Sequence, residues 1–106
     1  HHIDSMFVNE LSKLIGDKHF IIGPSFSKIP YFRQSQILDE LIEYDVSGVM
    51  FDIRDIDFNN YSELQPLAKL KIHAKKRIEI IPVVSSEEKR DELIKSIPFD
   101  MIYIHP

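Results

Sequence analysis

The sequence has no cysteine, only three glycines, no marked basic excess and no long apolar run. Each of these absences removes a class of function. Without cysteine there is no disulfide scaffold, no thiolate zinc site and no cysteine nucleophile, and the chain is compatible with a reducing cytoplasm, where we expect it. Gly16, Gly23 and Gly48 lie too far apart for a Gly-x-Gly-x-x-Gly or Walker loop, so the backbone cannot cradle a nucleotide phosphate by those routes. A net charge of -4 argues against nucleic acid as the main partner, because phosphate binding needs a basic face. No apolar run approaches the roughly 18 residues of a membrane span, and no signal-peptide pattern is present.

Catalytic motifs are also missing. There is no His-Glu-x-x-His, and no His-x-His pair after the first two residues, so His19, His73 and His105 read as structural or exposed histidines. No Gly-x-Ser-x-Gly elbow is present. We therefore expect no catalytic residue, no metal and no cofactor, and a protein that is not an enzyme.

What is present describes a globular chain. At 106 residues it suits one domain that folds without staples, and 43% hydrophobic with 28% charged residues is ordinary for a soluble protein. His1 and His2 read as a tag remnant, with Met6 as the natural start; residues 1–5 are set aside as a tag or leader, and 6–106 form the single domain.

Four apolar runs recur: HFII at 19–22, VSGVMFDI at 46–53, RIEIIPVV at 77–84 and DMIYIHP at 100–106. Unbroken Val, Ile and Phe suit strands covered on both faces, which is the habit of parallel sheets. Helical patterns separate them. YFRQSQILDELIEY sets Ile37, Leu38, Leu41 and Ile42 on one face. SELQPLAKLKIHAKK does so with Leu64, Leu67, Leu70 and Ala74, and SSEEKRDELIKSI with Leu93, Ile94 and Ile97. Ser62 with Gln65, and Ser85 with Glu88, have capping-box spacing, which puts Pro66 in a first turn. The basic run HAKKR at 73–77 falls where a helix would end, as its dipole favours. Residues 6–18 fit either an amphipathic helix or, through GDK, a hairpin with an edge strand. The order of elements implies an α/β fold with a mainly parallel, four- or five-stranded sheet and flanking helices joined by right-handed crossovers.

The segment DIRDIDFNNYSEL, 52–64, carries the densest polar chemistry. Asp52, Asp55 and Asp57 lie close enough in sequence to suggest a magnesium site, which takes oxygen ligands. Alternation along an extended chain favours a different reading, in which Ile53 and Phe58 point inward while the acids face water and cap the next helix.

Several strings resemble a STAS domain, the family of anti-sigma factor antagonists and sulfate-transporter tails. GPSFSKIPYFRQ at 23–34 is similar to the family's stretch between its second strand and first helix. GVMFDIRDIDFNNYSEL is similar to its signature of strand, Asp-Leu, Phe and Asp-Ser-Ser-Gly-Leu, and IPVVSSEEKRDELIKSIPFDMIYI to its last strand and helix. The resemblance spans about residues 19–105 and implies a non-enzymatic signalling domain that binds a protein partner, such as a kinase or an anti-sigma-like protein. Ser62 falls on the serine the family phosphorylates. Asn60, Tyr61 and Glu63 replace its Asp, first Ser and Gly, so of that string only Ser62 and Leu64 keep their identity.

A response-regulator receiver is the alternative resemblance, degenerate in that His105 stands for its lysine. There Asp52 would accept the phosphoryl group and Ser85 or Ser86 would be the switch hydroxyl. EIIPVVSSEEKRDELIKSIPFDMIYIHP at 79–106 carries a third, weaker resemblance, to a fragment of a β/α-barrel protein of the cyclic-dinucleotide phosphodiesterase kind without catalysis. The strand order separates the first two: a STAS sheet sets HFII beside IEIIPVV, whereas a receiver inserts a strand between HFII and GVMFDI. The expected partner-binding surface is Asp52, Asp57, Asn60, Tyr61 and Ser62, with Ser62 the phosphorylation candidate in the STAS reading, Asp52 in the receiver reading, and oligomerisation left open.

Overall fold

The computed structural model describes residues 20–106. The question of helix or hairpin at 6–18, and the leader at 1–5, fall outside the described residues. Strand β1 (Phe20–Ser25) runs into a 3-10 turn (Phe26–Lys28) and helix α1 (Tyr31–Glu43). Strand β2 (Gly48–Asp52), helix α2 (Tyr61–Ala74), strand β3 (Glu79–Val84), helix α3 (Glu87–Ser96) and strand β4 (Tyr103–Ile104) follow. All four strands are parallel, in the order β1-β2-β3-β4. The expected parallel α/β sheet with flanking helices is what the described residues form.

The order is consecutive. Phe20–Ile22 of the first run lies directly beside GVMFD, and GVMFD lies between it and EIIPVV. Neither the HFII–IEIIPVV pairing nor an intervening strand occurs among the described residues. Each crossover instead steps one strand in the same direction, which is how consecutive units of a β/α barrel wind. With right-handed crossovers this places every helix on the same side of the sheet.

Side-chain alternation bears this out. Val49 and Phe51 of β2 with Ile53 just beyond it, and Ile80 and Val84 of β3, join Leu38, Leu64, Leu67, Leu70 and Leu93 from the three helices and Ile97 at the end of α3 in a single core. The intervening residues Met50, Ile81 and Val83 point to the opposite face, with Phe20, Met101 and Tyr103 against them. Both faces are thus buried, which is why the strand sequences show no polar alternation.

One close approach sets the spacing of β1 on β2. A Cβ on Gly23 would lie 2.7 Å from Cε1 of Phe51, whose ring packs 5.5 Å from that of Phe26. Only glycine fits there, and the pairing register shifts in this stretch, between Ile22 and Ser25. At the other end of the sheet α2 stops at Lys75, which is left-handed at φ 49°, followed by Lys76 at φ 62°. Arg77 secures that end: its Nε donates to the Ala74 carbonyl at 3.1 Å and its Nη2 to the His73 carbonyl at 2.7 Å. The basic run therefore ends a helix, as its position implies.

Two helix starts differ from the capping-box expectation. The N-cap of α2 is Asn60, not Ser62, and that of α3 is Ser86, not Ser85. Pro66 consequently sits at the sixth position of α2 rather than in its first turn. It has no N–H for the Ser62 carbonyl one turn back, a local loss that the buried Leu64, Leu67 and Leu70 offset by packing. Asn60 wins the cap because the loop before it is already closed by Asp57: the carbonyl of Asp57 accepts from Asn60 N at 3.0 Å, and its Oδ1 from Asn59 N at 2.9 Å.

Candidate functional site at the carboxyl end of the strands

The polar residues singled out in the sequence divide into a buried group and an exposed one. Asp52 ends β2 and is only 2% exposed. Its Oδ1 accepts from the Arg54 backbone N at 3.0 Å and from Arg54 Nε at 2.9 Å, and its Oδ2 from Arg54 Nη2 at 2.8 Å. This is the two-point arrangement that planar guanidinium and carboxylate groups favour. Burial pushes the Asp52 carboxyl upward, but the bonds to Arg54 and its charge outweigh that, and the net displacement is below the ordinary value. The Arg54 guanidinium is correspondingly raised, chiefly by its bond to Asp52.

Arg54 also spans the sheet. Its Nη1 lies 3.2 Å from His105 Nδ1 and donates to the carbonyls of His105 and Pro106 at 3.3 and 3.4 Å. The backbone adds Ile53 N to the Val83 carbonyl at 3.1 Å and His105 N to the Val84 carbonyl at 2.8 Å. The ends of β2, β3 and β4 are therefore tied together with Asp52 at the centre. Ser25, the register partner of Asp52, is buried as well, and its Oγ has no hydrogen-bond partner among the described residues.

The remaining acids diverge from Asp52. Asp55 Oδ2 accepts from Ser27 Oγ at 2.6 Å, which joins the β2–α2 loop to the 3-10 turn, while Asp57 closes its own loop. Among the described residues no group of three or more His, Asp or Glu side chains converges as a metal site would require. Ile53 and Phe58 point inward, the latter half-buried beneath Lys89, whose Nζ is 5.6 Å from the ring centroid.

Asn60, Tyr61 and Ser62 form the exposed group. The Asn60 Oδ1 accepts from Ser62 N at 3.1 Å and from Ser62 Oγ at 2.7 Å. Ser62 is thus the residue capped and not the cap, with its hydroxyl at the surface in the first turn of α2. Tyr61 beside it is 68% exposed. Ser85 is exposed, whereas the Ser86 Oγ accepts from Lys89 N.

No family model, curated protein or solved structure matches this chain. The site must accordingly be read from its own geometry.

Of the five sequence-nominated residues, the structure brings Asp57, Asn60, Tyr61 and Ser62 together on one exposed loop and helix start, and withdraws Asp52 from it. Sequence reasoning missed Arg54. Its signal was available, since an arginine two residues after an aspartate can turn back on it as the chain leaves the strand. It also missed a groove of about 450 Å³ between the 3-10 turn and the start of α2, lined by Ile29, Pro30, Tyr31, Ile56, Ser62 and Pro66 among others.

Proposed function

We propose that the chain is a non-enzymatic interaction module whose partner-binding surface is the carboxyl rim of the sheet, centred on Asp57, Asn60, Tyr61 and Ser62. The observation that carries this reading is the way the rim spends its polar groups. Asp52, Asp55 and Asp57 accept internal bonds that shape the rim and the Ser62 hydroxyl donates to Asn60, while the Tyr61 ring stands outward, 68% exposed, among these small polar groups. A large ring with few rotatable bonds beside small polar groups is the composition of protein contact sites.

Phosphorylation at Ser62 is the regulation this surface supports best. Its hydroxyl is exposed at a helix start, where the dipole and the first amides favour an anion. Glu63 next to it opposes the same charge, so the switch would be a weak one. Phosphoryl acceptance at Asp52 has less support, because it would have to break three hydrogen bonds to Arg54 in a buried place. Consecutive winding of the strands favours one further reading, that the chain belongs to a β/α-barrel-type protein that has kept the architecture without catalysis.

Partners selected from the native proteome test the proposal by comparing the wild type with Tyr61→Ser and Ser62→Asp at the rim and Lys95→Ala on α3. Loss of a partner with the rim variants and retention with Lys95→Ala is the expected result. Retention of every partner by both rim variants contradicts it. Incubation with a small phosphodonor and magnesium, alongside a search for phosphoserine after native expression, separates Asp52 from Ser62 as the modified group.

A further inference from the structure

Of Asn9, Asn59 and Asn60, only Asn60 is followed two residues later by a serine or threonine, as Asn60-Tyr61-Ser62 with no proline between. This is the acceptor pattern of N-linked glycosylation, and it is short enough to arise by chance, so its weight lies in how the fold presents it. All three residues are exposed. Asn60 has extended backbone, φ -100° and ψ 103°, where the loop after β2 meets α2.

The two ends of the Asn60 amide are used differently. Its Oδ1 accepts from Ser62 N at 3.1 Å and from Ser62 Oγ at 2.7 Å. The first bond is all that the helix cap requires. The second is additional, and only a hydroxyl two residues on can make it. With both donors on the oxygen the orientation of the amide is fixed, and Nδ2 makes no hydrogen bond among the described residues. The same donors draw electron density toward Oδ1, so an Nδ2 proton leaves more readily as a new bond forms at the nitrogen.

We propose that Asn60 is a glycosylation site, taking its sugar from a donor activated as a diphosphate ester. Nδ2 attacks the anomeric carbon. The nitrogen–carbon bond forms as the bond from that carbon to the diphosphate oxygen breaks, and the Nδ2 proton passes to the released diphosphate. Oδ1 takes no part in the new bond, so the cap of α2 survives the modification. The sugar stands beside Tyr61, the 68% exposed ring of the rim, and closes that surface to a protein partner. This closing rests on the interaction-module reading; the modification itself does not.

The test is mass spectrometry of the full chain recovered from its native cells. Cleavage after Arg54 and Lys69 releases the peptide Asp55–Lys69, and electron-transfer fragmentation assigns an added sugar to one residue. A sugar on Asn60 is expected in the wild type and in Ser62→Thr, and its loss is expected in Asn60→Gln and Ser62→Ala. Ser62→Ala keeps the backbone N–H that Asn60 caps, so this loss is not a loss of fold. A single sugar unit points to a nucleotide-linked donor and a longer chain to a lipid-linked one, and both support the proposal. No sugar in the wild type, a sugar on another residue of the peptide, or one that persists in Ser62→Ala overturns it. The glycosylated fraction should be missing from the complexes that Tyr61→Ser also loses, and its equal presence there contradicts the closing of the rim. If the sugar is found and Tyr61→Ser keeps every partner, the site stands and the rim reading fails. If Tyr61→Ser loses a partner and no sugar is found, the rim reading survives and the site fails.

Discussion

Replacing Arg54 by Met should destabilise the fold far more than an ordinary rim substitution. Asp52 would keep its burial and lose the two side-chain bonds at 2.8 and 2.9 Å, together with the opposite charge. Leaving one member of a buried pair alone costs about 3–5 kcal/mol. The Arg54 side chain is 22% exposed, so water can enter the space it vacates, and we reduce the expectation to about 2–4 kcal/mol. Asp52→Asn should cost less, about 1–2 kcal/mol, because the remaining guanidinium reaches water. Urea unfolding followed by far-ultraviolet circular dichroism reads the effect as a midpoint shift of about 1–2 M for Arg54→Met. The pH dependence carries a sign. The folded Asp52 carboxyl lies below its unfolded value of about 3.9, so its contribution is complete above that value and is lost as pH falls through the folded one. The gap between wild type and Asp52→Asn should therefore be constant near neutrality and shrink below about pH 4. An Arg54→Met penalty under about 0.5 kcal/mol, or an Asp52→Asn gap that is the same at pH 3 and pH 7, would refute the reasoning.

Three further substitutions test the packing and caps that place the rim. Gly23→Ala should lose about 1–3 kcal/mol, because its Cβ would meet the Phe51 ring, whereas Gly48→Ala, whose nearest contact is 3.5 Å, should be within about 1 kcal/mol of wild type; thermal melts of both decide this. Lys75→Gly should stabilise by up to about 1 kcal/mol, since φ 49° strains a residue with a Cβ, and an unchanged or lower melting temperature would count against it. Asn60→Ala should cost about 1 kcal/mol by removing the cap of α2, and Ser62→Ala clearly less, as chemical unfolding of the pair would show.

The layers of the fold were legible because burial writes itself into the strands. GVMFD and EIIPVV are apolar at successive positions, so both faces had to be covered, and the helical stripes Leu64–Leu67–Leu70 and Leu93–Ile97 supplied a cover for one of them. Strand order was not legible, since hydrophobic pattern says which residues are buried but not which strand is the neighbour. Caps were misread for a local reason. Serine followed by Glu or Gln at the right spacing occurs at 62 and 85, but the loop closed by Asp57 brings Asn60 into position first, and Ser86 is the residue that reaches Lys89 N. At the site, Asp57, Asn60, Tyr61 and Ser62 were found together because they are neighbours in sequence. The groove beside them was not, because its walls come from segments about 30 residues apart that meet only when the chain folds.

The central claim is that partners bind at the carboxyl rim, and a hydrogen-exchange footprint of the chain with a partner recovered by native selection tests it most directly. The account predicts slowed exchange in residues 57–66. Protection confined to the opposite end of the sheet, at residues 75–79 and 100–101, would contradict it.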